Sequence, residues 1–128
     1  MNAMILSLYI GIGGFFGAIA RYLLSRAVGG WLGAFPLGTL LVNVSGSFVL
    51  GLILYGVAYG KGMSPELRGF WTVGFIGAFT TMSAFAYETV RLLEMEDYSL
   101  LSLNCAANVL LSIFAVLAGR YVALTILR

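Results

Sequence analysis

Four apolar stretches decide what this chain can fold into: about Met4–Leu24, Leu37–Tyr59, Phe70–Leu92 and Leu100–Leu124. Each is long enough to cross a hydrocarbon core roughly 30 Å thick at a helical rise of about 1.5 Å per residue. The 128 residues are 61% hydrophobic and 9% charged, where an ordinary soluble domain carries roughly 25% charge. A soluble chain this short could not hide so much apolar surface, but lipid can. The expected fold is therefore all-α, an integral membrane protein of four transmembrane helices in a single domain over residues 1–128. With an even number of spans, both termini lie on one side.

The joints between the spans carry turn chemistry. Gly29-Gly30-Trp31-Leu32-Gly33-Ala34-Phe35-Pro36 ends in a proline suited to start the second helix. Gly60-Lys61-Gly62-Met63-Ser64-Pro65-Glu66 and Glu94-Met95-Glu96-Asp97 make the other two joints. Ala18-Ile19-Ala20 has the look of a signal-peptide cleavage site, yet the first basic residue is Arg21 and none precedes the apolar run. The segment reads as a retained first helix.

Several function classes drop out on composition. A net charge of +2 with no run of Lys or Arg gives no footprint for nucleic acid. Cys105 stands alone, so no intrachain disulfide forms. The absence of histidine removes the commonest general base and most zinc or copper sites. The chain reads as a passive pathway or a carrier, not an enzyme.

Lys and Arg counts normally set orientation. Lys61, Arg68, Arg120 and Arg128 fall on the side of the termini, and Arg21, Arg26 and Arg91 on the other. So slight a bias leaves two readings, one orientation fixed by other means or insertion both ways up to give an antiparallel homodimer. Gly13, Gly17 and Arg21 share one face of the first helix. Small residues at that spacing permit close helix packing, either between two copies or within one bundle.

Polar groups in lipid must be satisfied, so each one inside a span needs a reason. Thr39, Asn43 and Ser47 form a stripe on the second helix, and Asn104, Asn108 and Ser112 one on the fourth. They suit either the wall of a wet or ion-lined path or hydrogen bonds that hold the bundle together. In the third span, Gly74-Phe75-Ile76-Gly77-Ala78-Phe79-Thr80-Thr81 is a weak helix former. A break there would be tolerated only where the freed backbone is buried or lines a cavity; the other reading is a straight helix with packing notches. Glu88, three residues before Arg91, is expected to make a local ion pair. Arg21, near the end of the first helix, can snorkel to the interface or hold positive potential at the mouth of an anion path. Two apparent motifs lie inside spans and carry no chemistry: the glycine-rich Gly11–Gly17 run, which lacks a preceding strand, and the sequon Asn43-Val44-Ser45.

Three segments together resemble a known family. Gly14-Phe15-Phe16-Gly17-Ala18-Ile19-Ala20-Arg21-Tyr22, Gly38-Thr39-Leu40-Leu41-Val42-Asn43-Val44-Ser45-Gly46-Ser47-Phe48 and Gly74-Phe75-Ile76-Gly77-Ala78-Phe79-Thr80-Thr81 are similar to the Fluc (CrcB-type) fluoride channels of microbes. The likeness covers essentially the whole chain. It implies a multi-pass protein of the bacterial inner membrane, assembled in the lipid bilayer as an antiparallel dual-topology homodimer with two fluoride pores. It also implies a structural sodium ion at the dimer centre, held by the backbone carbonyls of Gly77 and Thr80. Carried over by position, the pore residues are Asn43, Phe85, Met82, Ser83, Ser112 and Thr39, and Arg21 sits at the vestibule.

That assignment has a physical logic. Fluoride is strongly hydrated, so a pore must return hydrogen-bond donors, which Asn43, Thr39 and Ser112 offer. An aromatic ring has a positive edge that can touch an anion, as Phe85 would. A central cation offsets the cost of an anion in low dielectric, and a site of neutral carbonyls suits a monovalent ion better than calcium. The chain departs from the family at one place. Met82 stands where a first pore phenylalanine is expected, similar in volume but with no ring edge.

The expected function is a fluoride-selective channel that lets cytoplasmic fluoride leave down its gradient. The alternative is a small dual-topology, proton-coupled multidrug exporter, against which stands the lack of a carboxylate in the first, second and fourth spans. A purely structural membrane subunit would leave the two polar stripes without a role.

Overall fold

A computed structural model describes residues 2–60 and 62–126. Lys61 and Arg128, both counted in the charge balance above, lie outside the described residues. Among the described residues, four helices are long and apolar enough to cross a membrane: Ala3–Val28, Leu37–Tyr59, the interrupted span Pro65–Glu94 and Tyr98–Ile126. The second helix begins and ends where the sequence predicts. The first, third and fourth extend past the expected bounds, by residues that polar caps and joints bring into the helix. Asn2 caps the first helix by accepting from the Met4 amide at 3.0 Å. Ser64 caps the third with Pro65 in its first turn, and the Asp97 side chain takes the Leu100 amide at 3.0 Å.

Large apolar side chains such as Leu8, Phe15, Val73, Leu103 and Phe114 are exposed along the spans. This inverts a soluble fold and suits lipid as the solvent. Inside the bundle, glycine sets the distances. A Cβ at Gly17 would collide with the Phe75 carbonyl, and one at Gly13 with that of Phe70, so the first helix lies backbone to backbone on the start of the third span. The glycine face of the first helix is thus taken up within the bundle, which settles the two readings left open above. The second and fourth helices meet in the same way, Gly119 resting on the Phe48 carbonyl.

The third span is the irregular one. Gly69–Ile76 is wound as a π-helix, followed by a single turn, Gly77–Phe79. Thr80 and Thr81 are then extended (φ −82°, ψ 158° and φ −152°, ψ 116°), and the helix resumes at Met82–Glu94. The break falls at the end of the glycine–threonine segment picked out in the sequence. The straight-helix reading is thereby excluded.

Candidate functional site

The break leaves backbone groups that must be satisfied far from water. In a continuous helix the Thr81 N–H would bond the Gly77 carbonyl; here it donates to Asn43 Oδ1 at 2.7 Å. The Ala84 N–H would bond the Thr80 carbonyl, but it donates to Thr81 Oγ1 at 3.1 Å, so Thr81 caps the resumed helix. The carbonyls of Gly77 and Thr80 are therefore released from their helical amides. Asn43 also donates through Nδ2 to the Thr81 carbonyl at 3.1 Å. A second-helix amide thus pairs with both backbone groups of one residue at the break.

A cavity of about 440 Å³ opens beside the break. Asn43 and Ser47 of the second helix, Gly77, Thr80, Met82 and Phe85 of the third span, and Asn108 and Ser112 of the fourth line it. It has no ionised side chain in its wall; amides, hydroxyls, backbone and one aromatic ring supply its chemistry. Both polar stripes reach this cavity, and both also make interhelical hydrogen bonds. Met82 lies on its open side, 73% exposed, and Gly77 is exposed there too.

The expected site residues are brought together only in part. Asn43, Phe85, Met82, Ser112, Gly77 and Thr80 share the cavity wall. Ser83 turns away, exposed, with its hydroxyl 3.2 Å from Thr81 Oγ1. Thr39 is buried beyond the cavity and donates to Glu88 Oε1 at 2.7 Å. Arg21 is half-buried and lies about two turns inside the end of a helix that continues to Val28.

The Glu88–Arg91 pair does not form. Glu88 reaches across to Thr39, while the Arg91 guanidinium lies 3.4 Å from the Tyr87 hydroxyl. Glu88 Oε2 is buried without a hydrogen-bond partner among the described residues. A second cavity, of about 320 Å³, lies at this end of the third span between Pro36, Tyr87, Glu88 and Arg91.

Three residues were missed or undervalued by sequence reasoning. Asn108 accepts from Asn43 Nδ2 at 3.0 Å, and buried Asn104 accepts from Asn108 at 2.9 Å. Thr89 accepts from Asn104 Nδ2 at 3.1 Å. Asn104 and Asn108 were visible as a stripe. Thr89 gave no signal, because a threonine in an otherwise ordinary helical turn has no pattern to stand out from.

Comparison with known proteins is consistent across nearly the whole chain. The family described as "CrcB-like protein, Camphor Resistance (CrcB)" matches residues 8–120. A "Fluoride-specific ion channel FluC 1" of Methanosarcina acetivorans is 51% identical over 119 residues, covering 93% of this chain and 91% of the relative. A "Fluoride-specific ion channel FluC" of Methanopyrus kandleri is 52% identical over 110 residues, covering 86% and 82%. The protein of that name from Campylobacter jejuni is 45% identical over 113 residues, covering 88% and 92%.

Proposed function

The chain belongs to the CrcB-like family, and we propose that it is a fluoride-selective channel, a multi-pass membrane protein that releases cytoplasmic fluoride down its gradient. The observation that carries this reading is the cavity at the helix break, whose wall is neutral and rich in hydrogen-bonding groups at mid-span. A small, strongly hydrated anion needs donors at each point where it loses water, and Ser47 and Ser112 present hydroxyls to the cavity. Asn43 already gives its amide hydrogens to Thr81 and Asn108, and Thr80 its hydroxyl to Ile76, so these two donate only in competition with those partners. A proton-coupled exporter needs a titratable group in its transport cavity, and this wall has none.

An antiparallel dual-topology homodimer follows as part of the proposal. Polar groups cannot face lipid at this depth, yet the cavity is open beside exposed Met82 and Gly77. A second copy would close it and give two pores. The released carbonyls of Gly77 and Thr80 fit a sodium site, since neutral oxygens suit a monovalent cation, and two copies would double the oxygens available. Bound there, sodium would supply fixed positive charge near the anion path. The location is the plasma membrane, the inner membrane of a bacterial cell.

Liposomes loaded with potassium fluoride test the passive mechanism. Valinomycin, which lets potassium carry the compensating charge, is expected to trigger fluoride release without any proton gradient. Release that requires an imposed proton gradient would favour the exporter.

A further inference from the structure

One hydrogen-bond circuit leaves the third span at Thr81 and returns to it at Thr89. It runs from the Thr81 carbonyl to Asn43 Nδ2, and Asn43 Nδ2 also donates to Asn108 Oδ1. Asn108 Nδ2 donates to Asn104 Oδ1, and Asn104 Nδ2 to Thr89 Oγ1. The Thr89 hydroxyl donates to the Phe85 carbonyl at 2.7 Å. The circuit therefore crosses from the third span to the second helix, to the fourth, and back to the turn that carries Phe85.

Its polarity is locked at both ends. Asn108 Nδ2 also faces the Asn104 backbone carbonyl at 3.0 Å. A carbonyl can only accept, so Asn108 must present its oxygen to Asn43. The Phe85 carbonyl likewise takes the one hydroxyl hydrogen of Thr89, so Thr89 must accept from Asn104, and Asn104 must turn its oxygen to Asn108. Flipping either amide would set donor against donor in a low-dielectric interior. Asn104 is 0% exposed and Asn108 6%. Neither Asn104 nor Thr89 lines the cavity.

We propose that Thr89 and Asn104 are positioning residues for anion permeation. They act through Asn108, holding its Oδ1 as the acceptor for an amide hydrogen of Asn43, whose orientation Thr81 sets. This rests on the fluoride-channel reading, and the test separates the two. Thr89→Val keeps side-chain volume but removes the hydroxyl, whereas Thr89→Ser keeps the hydroxyl and removes a methyl. A positioning role requires Thr89→Val to lower fluoride efflux from liposomes roughly fivefold or more, the expected scale for a buried amide left unsatisfied, with Thr89→Ser close to the parent. A packing role requires the reverse order and would overturn the proposal. In the background of Asn43→Leu, Thr89→Val should add little further loss, because its effect passes through Asn43; full additivity would also overturn it. Thr89→Ala replaces Thr89→Val should the latter not yield folded protein. A parent chain without fluoride efflux would instead overturn the functional reading itself.

Discussion

The Asn43 side chain forms a two-bond pair with Thr81, accepting from its N–H at 2.7 Å and donating to its C=O at 3.1 Å. The second donor hydrogen of Asn43 is committed to Asn108. Asn43 is therefore the splint of the break as well as a wall of the cavity, and an anion that draws on its amide must compete with Thr81 or Asn108. Asn43→Leu should cut fluoride flux roughly tenfold or more. It strips partners from two buried backbone groups at about 1–3 kcal/mol each, while about 1.4 kcal/mol already makes a factor of ten. Flux measured on protein that elutes like the parent checks this, and unchanged flux would reduce Asn43 to packing.

Met82 and Phe85 share the cavity wall but only Phe85 has a ring edge to offer an anion. Met82→Phe should raise fluoride throughput if a ring is what the anion needs there, and Met82→Ile should not. Phe85→Ile should lose most of the flux, since no other ring lines the cavity. Equal flux in the parent, Met82→Phe and Met82→Ile would show that volume alone matters at this position.

The close approach of the first helix to the third span predicts a sharp steric limit at Gly17. A side chain there meets the Phe75 backbone, which cannot move aside as a flexible side chain can. Gly17→Val should destabilise the folded protein by about 1–3 kcal/mol or prevent folding, read as thermal stability in detergent. A variant as stable as the parent would mean that the helices separate without cost.

Much of this was legible in the sequence, and for a definite reason. Span length, proline and glycine at the joints, and the weak helix formers Gly74, Gly77, Thr80 and Thr81 act locally, so the four spans and the break follow from neighbours along the chain. Partner choice does not. Glu88 sits within helical reach of Arg91, yet its carboxylate bonds Thr39, a residue 49 positions away. Asn43 could be read as a donor, but its acceptors belong to the third span and the fourth helix, and only the assembled bundle reveals that its hydrogens are taken. Thr39 and Ser83 carried the right chemistry, while burial of one and outward rotation of the other kept both out of the cavity wall.

Insertion both ways up predicts a symmetric labelling result. Ala34 lies exposed in the joint between the first two helices. With Cys105→Ala as background, Ala34→Cys should react with an impermeant thiol reagent from each side of the membrane in about equal measure, because charge bias is weak. Adding two lysines to one face should then favour a single orientation. Labelling from one side alone in the unaltered chain would rule out dual topology.

Anion selectivity bears on the whole reading most directly. Liposomes containing the protein and loaded with equal potassium fluoride and potassium chloride, with valinomycin present, report both ions from one preparation through fluoride- and chloride-selective electrodes. The cavity of hydrogen-bond donors beside the Thr80–Thr81 break predicts fast fluoride release with chloride held near the level of protein-free liposomes. Equal release of the two ions, or no release of fluoride above that level, would contradict it.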